Sequence, residues 1–232
     1  MPILTLWTGL GMKPLPPERW SIPGWEIRWL EITPPLPSEN MEQWVQRLYA
    51  RIPPETDVLG GFSLGAQLAL KHREMAPNRF QDVLILSGFV QRRQWHLLLR
   101  LLRSAYIPQL LFILPPAFLV SIVQGLLWML PAAERRRFNI VLNLWPASAW
   151  RKVLRFLLDF ETETGLQILQ VCGAKDILLK PAPPAVRLPG AGHFLLQSSI
   201  SLHCWLRNLF FSRDITSFLT SFLFFILDRR FS

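Results

Sequence analysis

Cysteine is nearly missing from this chain: Cys172 and Cys204 are the only two in 232 residues. Two thiols so far apart make neither the disulfide framework of a small secreted domain nor a clustered metal site. Histidine is scarce as well, with four in the chain, so chemistry that needs an imidazole has few candidates. The opening MPILTLW has no basic segment before its apolar run, which argues against a secretory signal and for a cytoplasmic protein. Acidic residues all but vanish from the middle. Between Asp82 and Asp159 stand Arg92, Arg93, Arg100, Arg103, Arg135, Arg136, Arg137, Arg151, Lys152 and Arg155, against the single acid Glu134. The net charge of +9 therefore resides in this third of the chain, and such a block suits an acidic partner or an anionic surface. The same basic block is interleaved with long aliphatic runs and shows no recognition module, which argues against nucleic acid.

Charge of either sign is absent from Ser104 to Ala133. That length would permit a membrane span, but Pro115-Pro116 breaks it at the centre, so two helices joined at the prolines are expected. The apolar tail Ile215 to Leu227 is thirteen residues, too short to cross a bilayer.

What is present is an apolar half of the composition, with ten tryptophans and sixteen phenylalanines, enough for one domain with a substantial core. Short apolar runs punctuate the chain: Ile3 to Trp7, Trp25 to Ile32, Asp57 to Gly60, Val83 to Leu86, Leu166 to Cys172 and Ala185 to Leu188. Helical patterns separate several of them, including Met41 to Ala50, with Ser38 or Asn40 as its cap, and Ala66 to Glu74. Strands alternating with helices predict an α/β fold with a doubly wound, mostly parallel sheet. The rhythm turns helical, arginine-rich and apolar from Phe89 to Thr164. This divides the chain into a core, residues 1–88 and 165–232, and a helical lid, residues 89–164.

Gly61-Phe62-Ser63-Leu64-Gly65 reads G-x-S-x-G, with a strand predicted before it and a helix after. In that context the pattern marks a sharp turn that raises a serine nucleophile. A tight turn brings its flanks together, so the positions two before and two after the serine must carry almost no side chain. The serine needs a base and a group that orients the base. His72 lies on the helix behind the turn, His96 among lid arginines and His203 in a late apolar helix. His193 remains, in Pro189-Gly190-Ala191-Gly192-His193-Phe194 after the last predicted strand. Asp176 follows the strand ending at Cys172 and keeps the order serine, acid, histidine. Asp159 and Glu161 precede that strand, and Asp214 and Asp228 follow the histidine. Donors for an oxyanion are expected from the backbone N–H of Leu64 and from the Thr8-Gly9-Leu10-Gly11 turn, with Leu10 as the donor. No metal or organic cofactor is implied.

With Trp7-Thr8-Gly9-Leu10-Gly11, the serine pentapeptide, Gly173-Ala174-Lys175-Asp176 and Gly190-Ala191-Gly192-His193-Phe194, the chain resembles the α/β-hydrolase superfamily over nearly its whole length. Thr8-Gly9 stands where many members read His-Gly, and the usual aspartate-proline-glycine loop is missing. Within the superfamily it is most similar to the compact esterases that demethylate pimeloyl-acyl-carrier-protein methyl ester in biotin synthesis. That resemblance implies a serine esterase with Ser63, Asp176 and His193 as its triad. It also implies lid arginines that meet an acidic acyl carrier protein while an apolar pocket takes the acyl chain. A lipase, lysophospholipase or thioesterase working peripherally at an anionic membrane, and a hydrolase-fold binding protein without turnover, are the competing readings.

Overall fold

The computed structural model describes residues 1–14, 22, 24–80, 82–90, 94, 145–160, 162, 168–174, 176, 179 and 185–188, together with isolated positions between 115 and 136. Six strands form one sheet: β1 (Ile3–Trp7), β2 (Glu26–Leu30), β3 (Val58–Phe62), β4 (Asp82–Leu86), β5 (Ile168–Gly173) and β6 (Val186–Leu188). Every pairing is parallel, in the spatial order β2-β1-β3-β4-β5-β6. Among the described residues, helices between strands are α1 (Met41–Tyr49), α2 (Leu64–Met75) and α3 (Ala147–Asp159). The expected α/β doubly wound sheet is therefore present.

The apolar runs read as continuous rather than alternating because both faces of a parallel sheet are covered. Trp7, Leu59, Val83 and Ile85 share one face and join a core cluster with Trp44, Leu48, Leu68, Trp150 and Val153 from the helices. Leu4, Leu6, Phe62, Leu84 and Leu86 take the other face and are buried just as fully. The connections through α1, α2 and α3 all advance the same way across the sheet. Right-handed crossovers then place the three helices on one face, as the shared cluster requires. β2 is the edge strand beyond β1, and all five of its residues are half-buried.

Local chemistry fixes the helix ends. Asn40, one of the two expected caps, accepts from the Gln43 N–H at 2.8 Å, while Gln43 Oε1 accepts from the Asn40 N–H at 2.9 Å, a reciprocal capping box. α3 falls within the segment expected to be lid, and Trp145, Ala149, Trp150, Val153 and Phe160 enter the core beside α1. Edge-to-face ring pairs anchor it, Trp44–Phe156 at 5.8 Å and Phe89–Phe160 at 5.6 Å. Lys152 on this helix reaches back to a proline-rich loop, its ammonium donating to the carbonyls of Leu36, Pro37 and Glu39 at 2.8, 2.8 and 2.6 Å. In the same loop Glu39 accepts from Arg47, Nε to Oε1 at 2.7 Å and Nη2 to Oε2 at 2.9 Å. The Arg47 hydrogen bond, with help from the Leu36 N–H, holds the Glu39 carboxyl below its ordinary range. Among the described residues no helix is long and apolar enough to cross a membrane.

Candidate active site

β1 leads to β2 on one side while β3 lies on the other, so the chain reverses its direction of travel at the carboxyl ends of β1 and β3. In open parallel sheets the crevice at such a reversal is where ligands bind. The G-x-S-x-G turn and the Thr8-Gly9-Leu10-Gly11 turn both stand there.

β3 extends through Gly61 and Phe62, two residues beyond the expected strand, and α2 begins immediately at Leu64. Ser63 alone makes the reversal, at φ 52° and ψ −118°, a region that costs a non-glycine residue about 1–3 kcal/mol. The turn is clamped on both sides of that residue. The Ser63 N–H donates to Leu86 O on β4 at 2.8 Å, and Ser63 O accepts from the Ala66 N–H at 2.9 Å. A Cβ on Gly61 would overlap the Gly65 carbonyl, and one on Gly65 would overlap Thr8 O and come 2.5 Å from Trp7 O. The glycine pattern is thus a steric requirement of this turn. Ser63 occupies the N-cap position of α2, yet its side chain makes no capping bond. A half-buried serine at the positive end of a helix is placed for chemistry that generates negative charge.

The two expected oxyanion donors lie on neighbouring elements. Leu64 is the first residue of α2, so its N–H has no intrahelical acceptor. The Gly9 turn packs against the serine turn so closely that a Cβ on Gly9 would come 2.7 Å from the Phe62 ring. Thr8 is buried, and its hydroxyl accepts from the Ile32 N–H at 3.3 Å. Gly11 completes the turn at φ 61°.

Asp176 lies just beyond the end of β5, three residues after Gly173, whose carbonyl accepts from the Asp176 N–H at 3.1 Å. Its side chain is buried, and Oδ1 accepts from the Leu179 N–H at 3.2 Å, which fixes the orientation of the carboxyl group. Burial first, and then the negative charge of Asp176, push the Cys172 thiol up to about 12. Cys172 is consequently a buried, protonated thiol. Ser63 and Asp176 thus terminate the same edge of the sheet, at the ends of β3 and β5 with β4 between them. His193, the expected base, lies outside the described residues, as do Arg92, Arg93, Arg100, Arg103 and Arg137. Arg135 and Arg136 are helical, and Arg136 is exposed. Arg155 pairs with Asp159 at 3.4 Å, Arg151 is half-buried, and Lys152 is held by its three carbonyls. Among the described residues no three His, Cys, Asp or Glu side chains converge as a metal site.

Two features of this end of the sheet had no signal in the sequence. Ser87, directly after β4, is a second serine at positive φ, 45°; its hydroxyl is buried, with no hydrogen-bond partner among the described residues. Around it, Gln67 Nε2 donates to Phe89 O at 3.0 Å, Gln170 Nε2 to Gly88 O at 2.7 Å, and Gln94 Nε2 to Gln170 Oε1 at 2.9 Å. The second is a histidine. His72 on α2 is fully buried; its Nδ1 accepts from Trp7 Nε1 at 3.1 Å, which leaves the proton on Nε2, donated to Val45 O at 3.0 Å. Burial lowers its pKa to about 4, Val45 O opposes the fall and Arg79 adds to it.

No protein-family profile matches the sequence, and no curated protein is similar to it. Solved structures do match the fold. A candidate non-heme bromoperoxidase, BpoC, of Mycobacterium tuberculosis H37Rv aligns over 91% of this chain and 92% of its own, at TM-score 0.59 and 14% identity. A carboxylesterase of Nitrososphaera gargenis covers 90% of this chain and 89% of its own, at TM-score 0.57 and 12% identity. A thermophilic esterase from Thermogutta terrifontis covers 89% and 90%, at TM-score 0.53 and 14% identity. The fold is that of the α/β-hydrolases.

Proposed function

We propose that this protein is a serine hydrolase that cleaves a carboxylic ester. The observation that carries the reading is Ser63, held at a backbone conformation that L-residues rarely adopt, at the head of α2 and at the switch point of the sheet. Ser63 Oγ attacks the ester carbonyl while His193 takes its proton. Asp176, buried and oriented by Leu179, fixes the imidazole tautomer and stabilises the imidazolium. The Leu10 and Leu64 amides receive the oxyanion of the tetrahedral intermediate. The alcohol departs with the proton from His193. Water, activated by the same histidine, then attacks the acyl-enzyme, releasing the acid and regenerating Ser63. Comparison structures described as esterases support the class, while the fold itself hosts many chemistries.

For the substrate, we infer an acyl chain presented by an acidic acyl carrier protein, with a methyl ester as the cleaved bond. This rests on the resemblance to the pimeloyl-acyl-carrier-protein methyl ester esterases and on the basic middle third of the chain. A fluorophosphonate probe followed by peptide mapping tests the class: it should label Ser63 in the wild type and nothing in Ser63→Ala. A wild type that resists labelling would identify a hydrolase fold without turnover. Rates on carrier-bound methyl esters, carrier-bound thioesters and free lipid esters then decide the substrate. Preference for lipid esters on anionic vesicles would overturn the carrier-protein reading.

A further inference from the structure

We propose that the Trp7–His72 hydrogen bond is a strut that sets the spacing between the two oxyanion amides, with His72 as a positioning residue for turnover. The inference rests on the Leu10 and Leu64 assignment above. Those donors belong to different elements: Leu10 follows β1 by three residues, and Leu64 is the first residue of α2. Sheet pairing sets Trp7 opposite Gly61, but it does not dictate the direction in which α2 leaves the turn after β3.

Beside the core packing of Leu68, Ala69 and Leu70, two attachments to β1 bear on it. The first is the close approach of Gly65 to Trp7 O, in the first turn of the helix. The second is His72, seven residues later. Residues seven apart lie on the same helix face, about 10 Å along the axis. At that position His72 Nδ1 receives the indole N–H of the same Trp7. β1 therefore holds α2 at two points with one residue, by its backbone at the top and its side chain two turns down. A helix pinned at one point can pivot about it, whereas one pinned at two points on one face cannot. The other ring nitrogen of His72 donates to Val45 O, which extends the brace to α1.

The chemistry of the pair is specific. An apolar pair of equal volume would bury the same area without fixing a direction, whereas a buried hydrogen bond is directional and costly to leave unmade. Only the neutral imidazole with its proton on Nε2 can accept from the indole and donate to Val45 together. The surroundings favour the neutral form: His72 is fully buried beside the edge-on Tyr49 ring at 5.5 Å, and Arg79 repels a second charge.

The test uses the full chain with Trp7→Phe, His72→Leu and His72→Gln, assayed on a p-nitrophenyl ester near neutral pH. Rates are expressed per site titrated by a fluorophosphonate. Trp7→Phe and His72→Leu should lower kcat by about tenfold or more with KM within about twofold, as expected when a donor to the transition state is displaced. His72→Gln can accept through Oε1 and donate through Nε2, and should recover most of the loss. Wild-type kcat per titrated site in Trp7→Phe, or His72→Gln as slow as His72→Leu, would overturn the strut. If His72→Leu does not fold, the other two variants decide. Ser63→Ala serves as the control: activity retained there would refute the nucleophile assignment itself, an outcome separate from failure of the strut.

Discussion

Two serines at positive φ end neighbouring parallel strands, Ser63 after β3 and Ser87 after β4, and only one of them is the nucleophile we propose. Ser63 is half-buried, opens directly into a helix and has glycine two residues away on each side. Ser87 is 1% exposed, leads into a loop rather than a helix, and is surrounded by hydrogen-bonded glutamine amides. Both carry backbone strain, so strain alone does not define a site. The exposure of the residue and its place at a helix N-terminus distinguish the two.

The largest test of that contrast is a matched pair. Ser63→Ala should reduce ester turnover by about 10⁴-fold or more, on the scale of losing a nucleophile. Ser87→Ala should keep kcat/KM within about threefold; equal losses in the two variants would break the comparison. Next in size is Gly65→Ala, whose new methyl would meet the Thr8 and Trp7 carbonyls. Overpacking against backbone should cost about 3 kcal/mol or more, read from the urea midpoint, because neither strand end can yield without moving the sheet.

Acid should separate the supports of the two turns. His72, behind Ser63, has a folded pKa of about 4 against an ordinary value of 6.5. Below about pH 6.5 the unfolded chain takes up a proton that the folded chain refuses. Stability should therefore fall from about pH 6.5 to about pH 4, by on the order of 3 kcal/mol. His72→Gln should flatten that interval. Glu39, whose carboxyl is held below its ordinary 4.5 by Arg47, contributes stability that begins to be lost only below about pH 4.5, at the acid end of that interval. The glutamines around Ser87 do not titrate. An unchanged slope in His72→Gln would show that other groups set the acid response. The smallest effect belongs to Ser87→Gly, which relieves a positive φ and removes an unpartnered hydroxyl. It should raise stability by about 1 kcal/mol, visible as a higher Tm; a lower Tm would mean that Ser87 has a partner in solution.

Much of this was legible beforehand. β1 occupies the expected residues, Ile3 to Trp7, because an apolar run bounded by a glycine turn has few alternatives. The serine turn was legible for a steric reason, since a reversal made by a single residue demands glycine at two fixed offsets. Asp176 was singled out by chain order, and its expected place just after a strand is where it lies, three residues past Gly173. Strand ends were less legible. β3 runs on through Gly61 and Phe62, because pairing to β1 and β4 outweighs glycine's poor strand propensity. The role of Lys152 was not legible at all: it read as part of a basic surface, and its ammonium is occupied by three carbonyls more than a hundred residues earlier.

The sequence by itself determined the parallel α/β architecture and the turn at Ser63, because apolar periodicity and glycine sterics act within a few residues of one another. Tertiary structure alone decided which buried polar groups meet. Trp7 and His72 are 65 residues apart, and no local preference of either encodes the bond. It exists because the sheet sets the end of β1 against α2, and because a buried N–H must find an acceptor wherever the fold supplies one.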